Sequence, residues 1–391
     1  DSVTTIGDYA FAFCDSLTSV YCKATTPPSG GYYMFDEIAS NSKIYVPTDS
    51  VVAYKEAYGW SDYANYIVGY NFENGEVDDE EEDPSHPANP ANSVILYTNG
   101  STTGSTRPRM SAFGDARIVS NEYDSENGHW VITFDRELTT IGDMAFQDCY
   151  NLTSVTIPDS VTTIGKWAFD DCSSLTSVTI GNSVTTIGEY AFWACFELTS
   201  VTIGNSVTTI GNHAFYYCTS LTSVTIPDSV TTIEESAFDW CTSLASVTIG
   251  DSVTTIGDYA FRGCDSLTSV TIPDRVKTIG YEAFRDCDSL ASVTIGNSVT
   301  TIGDGAFSWC GSITSVTIGD SVTTIGVDAF RSCDLTSVTI PDSVTTIGNG
   351  AFYNCYSLAT VYCKPTTPPT GGRDMFYNNA SGRKIYVPAS D

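Results

Sequence analysis

Residues 157–180 read IPDSVTTIGKWAFDDCSSLTSVTI, and this segment is repeated with few changes through most of the chain. The template occurs ten times between Ala145 and Cys355. Aligned on Ala-Phe-x-x-Cys, its cysteines fall 23 residues apart from Cys149 to Cys333, and only the last step, to Cys355, is 22. Self-similarity at a fixed period of this length is typical of repeat architectures, so the period decides the fold.

One copy of the template predicts its own local structure. In SLTSVTI, Leu175, Val178 and Ile180 have the spacing that sends three side chains inward from a short strand, so that the serine and threonine between them face outward. A turn follows, and VTTI predicts a shorter extended segment on the opposite wall. The Ala-Phe-x-x-Cys-x-x-Leu spacing then places apolar residues at i, i+1, i+4 and i+7, which predicts one or two helical turns.

A unit of 23 residues cannot bury its own apolar stripe, so it must stack on its neighbours. The sequence therefore predicts an α/β repeat solenoid of about ten units, with a parallel β-sheet on one face and capped ends. At a strand spacing of about 4.8 Å, ten strands form a sheet roughly 48 Å long.

The template L-x-x-V-x-I-P-x-x-V-x-x-I-G-x-x-A-F-x-x-C resembles the BspA-like leucine-rich-repeat family of surface proteins of bacteria and some parasitic protists. The resemblance covers residues 1–22 and about 137–363. It implies a leucine-rich-repeat, right-handed superhelix that is displayed on the cell surface or secreted, and a role in adhesion to host matrix proteins or other cells. It transfers no binding residue, because the shared positions are the ones expected to be buried.

A second, longer repeat indicates the domain organisation. Residues 1–50 align without a gap to 342–391 and share DSVTTIG, VYCK, TTPP and KIYVP. In the first copy an amphipathic helix is predicted in VVAYKEAYGW, after KIYVP. The predicted domains are the C-terminal end and cap of a first array (1–70), an acidic Pro-containing linker (71–93), an N-terminal cap (94–136), the main array (137–363) and the start of a second C-terminal cap (364–391).

Charge and composition exclude several classes of partner. The chain has 47 acidic and 17 basic residues, a formal net charge of −30, which repels nucleic acid and anionic membrane surfaces. No apolar run reaches the roughly 18 residues needed to span a bilayer. Because Asp1 falls inside a copy of the repeat, we expect this chain to be an excerpt of a longer protein.

The 13 cysteines and three histidines do not form a pattern that predicts a cofactor or a metal. A spacing of 23 residues places the thiols in a parallel file, without the converging geometry of disulfides or zinc sites, so we interpret them as buried packing thiols. The chain also lacks a nucleophile elbow, a phosphate loop and a dinucleotide fingerprint. The sequence thus predicts no enzyme activity and no cofactor.

Two surfaces are candidates for binding. The first is the strand face, where rows of serine and threonine could match a repetitive ligand such as ice or a polysaccharide, or could simply keep the sheet soluble. The second consists of the positions that vary between copies, after Gly, after Ala-Phe and after Cys. Aromatic and arginine residues, which anchor protein interfaces, occupy these variable positions: Trp167, Tyr190, Trp193, Phe196, His213, Tyr216, Tyr217, Trp240, Arg262, Arg285 and Arg331.

The predicted function is a non-catalytic adhesion protein that presents a rigid surface to host matrix proteins, other cells or glycans. Linked arrays would sum weak contacts into firm attachment. The alternative is a structural protein whose tandem solenoids self-associate into a fibre or surface layer. A concentration-dependent assembly that needs no ligand would distinguish the second function from the first.

Overall fold

The computed structural model describes residues 2–14, 16–35, 38, 42–78, 94–106, 108–109 and 112–388. Its contacts divide the chain into two units. Unit 1 contains Asp1–Val94, Pro108–Asn121 and Ile132–Leu138, and unit 2 contains Ile95–Arg107, Glu122–Val131 and Thr139–Asp391. Among the described residues, no helix is long and apolar enough to cross a membrane.

Unit 1 begins with two coils of parallel strands. Its strands are β1 (Thr5–Ile6), β2 (Ser19–Tyr21), β3 (Ser29–Gly30), β4 (Lys43–Pro47), β5 (Ile67–Asn71) and β6 (Glu76–Asp78). β1 pairs with β3, and the second sheet has the order β2-β4-β5-β6, parallel except for the β5–β6 hairpin. The KIYVP segment, Lys43–Pro47, is therefore the β4 strand of the second coil.

Between β4 and β5 the chain forms short helices that cover the second coil. A 3₁₀ helix (Thr48–Ser50) leads into α1 (Val51–Glu56), and a second 3₁₀ helix (Ser61–Tyr66) leads into β5. The helix expected in VVAYKEAYGW thus occupies its first six residues. Val51 and Tyr54 of α1 lie in one buried cluster with Trp60, so this segment closes the apolar end of the coils before it.

The region predicted to be an acidic linker, 71–93, begins as folded backbone. Asn71 pairs with Glu76, and Tyr70 pairs with Val77, so residues up to Asp78 belong to the β5–β6 hairpin. The remainder of the predicted linker, 79–93, lies outside the described residues. The region 94–136, predicted as an N-terminal cap, contains β7 (Val94–Thr98) and β9 (His129–Phe134), with β8 (Ile118–Asp124) beside β9.

Unit 2 contains the repeat array, whose coils each contribute a two-residue strand to one wall. This wall is an eleven-stranded parallel sheet. Its strands are β10 (Thr140–Ile141), β12 (Thr163–Ile164), β14 (Thr186–Ile187), β16 (Thr209–Ile210), β18 (Thr232–Ile233), β20 (Thr255–Ile256), β22 (Thr278–Ile279), β24 (Thr301–Ile302), β26 (Thr324–Ile325), β28 (Thr346–Ile347) and β30 (Thr370–Gly371).

The opposite wall carries the strands predicted from SLTSVTI. They are β11 (Ser154–Thr156), β13 (Ser177–Thr179), β15 (Ser200–Thr202), β17 (Ser223–Ile226), β19 (Ser246–Ile249), β21 (Ser269–Ile272), β23 (Ser292–Ile295), β25 (Ser315–Thr317), β27 (Ser337–Ile340), β29 (Thr360–Cys363) and β31 (Lys384–Tyr386). They form three parallel sheets, and the first continues through β7, antiparallel to β11, to β9 and β8.

The array extends one coil beyond the ten units predicted from the template. Residues 364–386 form an additional coil, in which β30 pairs with β28 and β31 pairs with β29. Its sequence, KPTTPPTGGRDMFYNNASGRKIY, has lost the Ala-Phe-x-x-Cys signature, which is why the template does not detect it. The apolar pattern Met-Phe is nevertheless sufficient to continue the core, since Phe376 stacks on Phe352 at 5.3 Å.

The core consists of rows of side chains, in which each residue packs on the residue at the same position of the neighbouring coil. Strand register is exact, with Val155 opposite Val178 and Ile164 opposite Ile187. The phenylalanines form one stack from Phe146 to Phe376, with centroids 4.9 to 5.4 Å apart and rings within 9° of parallel. Identical side chains at about the strand spacing therefore pack on one another through the interior.

The cysteines of the array are free thiols inside this core. From Cys172 to Cys355, each Sγ donates to the carbonyl of the Phe one coil earlier, at 2.9 to 3.4 Å. Burial raises the pKa of Cys172 well above its ordinary value. The thiols thus pack as small apolar groups that also satisfy a buried carbonyl.

The helical turns predicted from the Ala-Phe-x-x-Cys-x-x-Leu spacing are wrong, because alternate backbone N–H groups of this region bond between coils. Trp167 N donates to Glu189 O and Phe169 N to Ala191 O, while Asp170 N closes a turn on Trp167 O. An α-helix would use only bonds within the segment. Alternating turns and inter-coil bonds instead require positive φ at two positions of the unit, which Trp167 (55°) and Asp171 (51°) occupy here.

Candidate functional site

We call the surface formed by these consecutive turns the turn face; in the second coil of the array it spans residues 166–171. Two of its positions in each unit have left-handed backbone, where residues other than glycine are uncommon. Even so, the first position holds Trp167, Tyr190 and His213 in successive coils, with φ of 55° to 57°. The hydrogen bonds to the next coil hold the backbone in this conformation. Each side chain is directed toward the side chain at the same position of the neighbouring coil.

The first file of the turn face is a stack of aromatic rings. Trp167 and Tyr190 lie 5.9 Å apart between centroids, and Tyr190 and His213 lie 4.7 Å apart, with interplanar angles below 20°. Lys166 Nζ lies 4.1 Å from the Trp167 ring centroid and 2.7 Å from a Glu189 carboxylate oxygen. A stack that spans three coils is held rigidly by the 23-residue period, because each ring is supported by the next.

A second file lies beside the first and contacts it edge to face. Trp193 lies 6.3 Å from Tyr190, and Tyr216 lies 5.3 Å from His213. Tyr216 meets Tyr217 at 4.4 Å, and Tyr217 stacks on Trp240 at 6.3 Å. The structure thus links seven predicted residues through ring contacts, and we call this set the aromatic cluster: Trp167, Tyr190, Trp193, His213, Tyr216, Tyr217 and Trp240.

Only part of the predicted apolar patch is exposed. Trp193 and Tyr217 are each 36% exposed, and Phe196, on the same coil as Trp193, is 42% exposed. The other members of the cluster are half-buried. Trp240 shows why, since its ring lies under Gly263, where a side-chain Cβ would come within 3.0 Å of it. The exposed rings are therefore supported from below by the half-buried ones.

His213 is a half-buried ring of this cluster. Burial lowers its pKa, partly offset by the nearby Glu235 and Glu189 carboxylates. Its Nδ1 is buried, and no other described residue gives it a hydrogen bond. At pH 7 the ring therefore behaves as an aromatic packing group between Tyr190 and Tyr216.

The three predicted arginines do not form an uncompensated basic strip, because each one pairs with a carboxylate. Arg262 donates from Nε and Nη2 to Asp239, at 3.0 and 2.7 Å. The other two bond acids three residues earlier, Arg285 to Glu282 at 2.7 Å and Arg331 to Asp328 at 3.2 Å. Their charge is largely neutralised, so they contribute planar, fixed side chains more than positive potential.

Asp239 is the most deeply buried acid of the turn face. Its side chain is 0% exposed, and it stands one coil before Arg262 at the same position of the repeat. Burial raises the pKa of Asp239 to about 6, against the lowering effect of Arg262. Ser236 Oγ lies 3.3 Å from its Oδ2. This ion pair ties two coils together at the edge of the aromatic cluster.

The hydroxyl rows of the strand face are exposed, as the period predicts. Thr179, Thr202 and Thr225 and their equivalents point outward from in-register strands. A further row was not distinguished in the sequence: Thr176 Oγ1 donates to Thr153 O at 2.9 Å, and this bond recurs in later coils. Part of the threonine content therefore binds one coil to the next.

Sequence reasoning also missed aromatic residues at the same turn-face positions of later coils. Tyr281 is 41% exposed and Trp309 48% exposed, and Arg262 lies over the Tyr259 ring at 4.5 Å. Their periodic positions were the signal that could have found them. Within the described part of the chain, His, Cys, Asp and Glu do not gather in threes as a metal site requires.

Comparison with solved structures gives leucine-rich-repeat proteins. A protein from Bacteroides ovatus is 26% identical, and the match covers 65% of this chain and 88% of that one, with a TM-score of 0.34. A cell surface protein from Faecalibacterium prausnitzii is 28% identical, over 71% of this chain and 94% of the other, also with a TM-score of 0.34. The Treponema pallidum leucine-rich-repeat protein is 30% identical over 42% and 68%, with a TM-score of 0.33.

No curated protein matches the chain. A family model does: the BspA type leucine rich repeat region matches in six copies over residues 1–73, 117–245 and 232–359. These ranges cover more than half of the sequence and include the template from which the fold was predicted. The chain belongs to the BspA-type leucine-rich-repeat family.

Proposed function

We propose that this chain is a non-catalytic binding protein, secreted or displayed at a cell surface, that adheres to a protein or glycan of a host or neighbouring cell. The observation that carries the proposal is the aromatic cluster of the turn face. The repeat frame is constant, whereas rings are concentrated in the second to fifth coils. Two cluster members, Trp193 and Tyr217, reach solvent, and so does Phe196 on the coil of Trp193. The location is proposed from the family resemblance.

The physical argument rests on preorganisation. Interfaces obtain most of their binding energy from a few rigid aromatic or arginine anchors, since such groups lose little conformational freedom on binding. Here Tyr217 is fixed between Tyr216 and Trp240, and Trp193 is fixed against Tyr190. The paired Arg262 adds a planar group at the edge of the cluster. Both protein surfaces and sugar rings can pack on exposed rings of this kind.

The test uses three substitutions that the repeat itself already contains. Equivalent positions in other coils carry Ser308, Thr219 and Asn354, so the variant Trp193→Ser, Phe196→Thr, Tyr217→Asn keeps the frame of the coil. The whole chain and this variant are passed over immobilised extracellular-matrix proteins and a glycan array. We expect binding by the native chain that falls by about tenfold or more in the variant, the loss of two or three anchors.

Trp309→Ser is the matched control, because Trp309 is 48% exposed on a coil outside the cluster. It should retain native binding, and circular dichroism should be the same for all three proteins. Equal binding by the native chain and the triple variant would overturn the proposed site.

Self-association is the competing function, and sedimentation velocity across a concentration series decides it. An adhesin that binds a foreign ligand stays monomeric, whereas a layer-forming protein assembles as its concentration rises. Assembly that the triple variant abolishes would make the cluster a self-association surface and would replace adhesion as the function.

A further inference from the structure

An apolar groove lies on the last described coil of unit 2. The groove has a volume of about 310 Å³, and its lining includes Val361, Phe376, Ile385 and Val387. Ile385 is 48% exposed and Val387 is 68% exposed. Apolar area of this kind is normally buried against another element.

The chain contains a second version of the same groove, and that version is filled. Because residues 1–50 correspond to 342–391, Ile385 and Val387 correspond to Ile44 and Val46. Ile44 and Val46 are both 0% exposed, in one buried cluster with the segment that follows them. The cover consists of five apolar residues of that segment: Val51, Tyr54, Trp60, Tyr63 and Ile67.

The cover is also held by backbone acceptors of the coil beneath it. Tyr54 Oη donates to Ala24 O at 2.8 Å, Trp60 Nε1 donates to Pro28 O at 2.7 Å, and Ser50 Oγ donates to Thr25 O at 3.0 Å. The corresponding residues of unit 2 are Pro365, Pro369 and Thr366, which all line the groove. Since the acceptors are carbonyls, the change from Ala24 to Pro365 leaves this hydrogen-bonding capacity unchanged.

A strand completes the cover in unit 1. β5 pairs in parallel with β4, with Ile44 opposite Ile67 and Val46 opposite Gly69. The equivalent of β4 in unit 2 is β31, which is the last strand of its sheet in the described part of the chain. An edge strand of this kind can accept one more parallel strand.

We propose that the groove of unit 2 is a docking site for an amphipathic segment with the chemistry of residues 48–71. The segment contributes two apolar residues on one turn of helix, a tryptophan that donates to a proline carbonyl, and an apolar strand that pairs with β31. The filled groove of unit 1 provides the occupant, its register and its hydrogen bonds. This site is separate from the aromatic cluster and does not depend on it.

The proposal is tested in trans with a synthetic peptide of residues 48–78 that carries a fluorophore at its N-terminus. Fluorescence anisotropy is measured as the whole chain is added. We expect saturable binding at one peptide per chain. A peptide with Tyr54→Ala and Trp60→Ala should bind at least about tenfold more weakly, because it loses both hydrogen bonds and the two largest buried rings.

Substitutions in the groove locate the binding. The double substitution Ile385→Asp, Val387→Asp should weaken binding of the native peptide by about tenfold or more, since it places charge in the apolar contact. Tyr377→Asp is the matched control, because it adds a charge to the same coil at a position where the first copy has Asp36. Cys363 lines the groove and supplies a local readout, so peptide binding should slow its alkylation.

Peptide binding that is as strong in the Ile385→Asp, Val387→Asp variant as in the native chain would overturn the proposal. The peptide could also be too disordered to bind in trans, so a fusion of residues 48–78 after Pro388 provides the second arm. We expect the fusion to protect Cys363 from alkylation; an unprotected Cys363 in the fusion also overturns the proposal. A dimer of the native chain that the double variant abolishes would assign the groove to a second copy instead.

Discussion

Residues 5–47 and 346–388 are two versions of the same pair of coils, but their burial differs. Val46 is fully buried, whereas its equivalent, Val387, is 68% exposed. Nothing in KIYVP itself distinguishes the two, since both copies contain it. In a solenoid each coil is stabilised by its own core and by its immediate neighbours. The comparison shows that burial of such a coil is decided by the element packed on it.

The largest expected effect is the removal of the tryptophan that closes unit 1. Trp60 is 0% exposed and donates to Pro28 O. Trp60→Ala should lower the free energy of unfolding of unit 1 by about 4 kcal/mol, from the lost transfer energy and the cavity. Hydrogen-exchange mass spectrometry of peptides across β4 should show it, and Tyr58→Ala, at a residue 69% exposed, is the control. Unchanged protection of β4 would show that the cover does not stabilise the coil.

The next test makes one change in both copies. Val46→Asp buries a carboxyl group without a partner and should cost about 3 kcal/mol in unit 1. Val387→Asp should cost less than about 0.5 kcal/mol in unit 2, because the side chain reaches solvent. Hydrogen exchange within each coil measures the two effects separately. Equal losses in the two coils would contradict the difference in burial on which the comparison rests.

Asp239 is a buried carboxylate that is paired with Arg262, and its titration makes stability depend on pH. Its pKa in the folded protein is about 6, above the ordinary value of 3.8, because burial outweighs Arg262. Between roughly pH 4 and pH 6 the folded state therefore binds more protons than the unfolded state, so stability falls as the pH rises through this range. The full change is about 3 kcal/mol.

Asp239→Asn removes this titration. The unfolding temperature of the native chain minus that of the variant should therefore fall as the pH rises from 4.5 to 6.5. Thermal unfolding followed by circular dichroism measures it. Asp228→Asn is the control, at an exposed acid of the same coil, and should leave the slope unchanged. A difference that does not change with pH would show that Asp239 ionises as an ordinary carboxylic acid.

The smallest expected effect leaves stability unchanged and compares equivalent thiols. Burial raises the pKa of Cys22 to about 11 under the cover of unit 1, and it raises that of the half-buried Cys363. Iodoacetamide at pH 8 should modify the exposed Cys14 first, then Cys363, then Cys22, and Cys172 only after denaturation, because the thiolate is the reactive species. Mass spectrometry of peptides gives the order, and Cys22 reacting before Cys363 would contradict it.

Several expectations from the sequence depended only on the period and are confirmed. The 23-residue spacing gave the solenoid, and it placed Val178 and Ile180 inside and Thr179 outside. The same spacing predicted that the cysteines form a parallel file of thiols. The additional coil at 364–386 was missed because it keeps the apolar positions but loses the signature. The domain boundaries and the binding residues stay predictions.

The turn face could not be predicted to the same depth. The spacing of Ala168, Phe169 and Cys172 fits a helix as well as it fits consecutive turns, since both bury those three positions. The backbone bonds that decide between them run to the next coil. The partners of Arg262, Arg285 and Arg331 depend likewise on which acids lie beside them in space, and one of the three pairs, Arg262 with Asp239, spans 23 residues.

The sequence by itself determined the period, the class of fold and the side of each strand that faces the core, because these follow from a repeated apolar pattern that only stacking can bury. The tertiary structure decided the left-handed turns, the pairing of the arginines, the exposed fraction of each ring and the difference in burial between Val46 and Val387. These properties depend on distances between groups in different coils. The repeated sequence pattern specifies which residues stack, whereas the positions of neighbouring groups determine the contacts and the exposure of each residue.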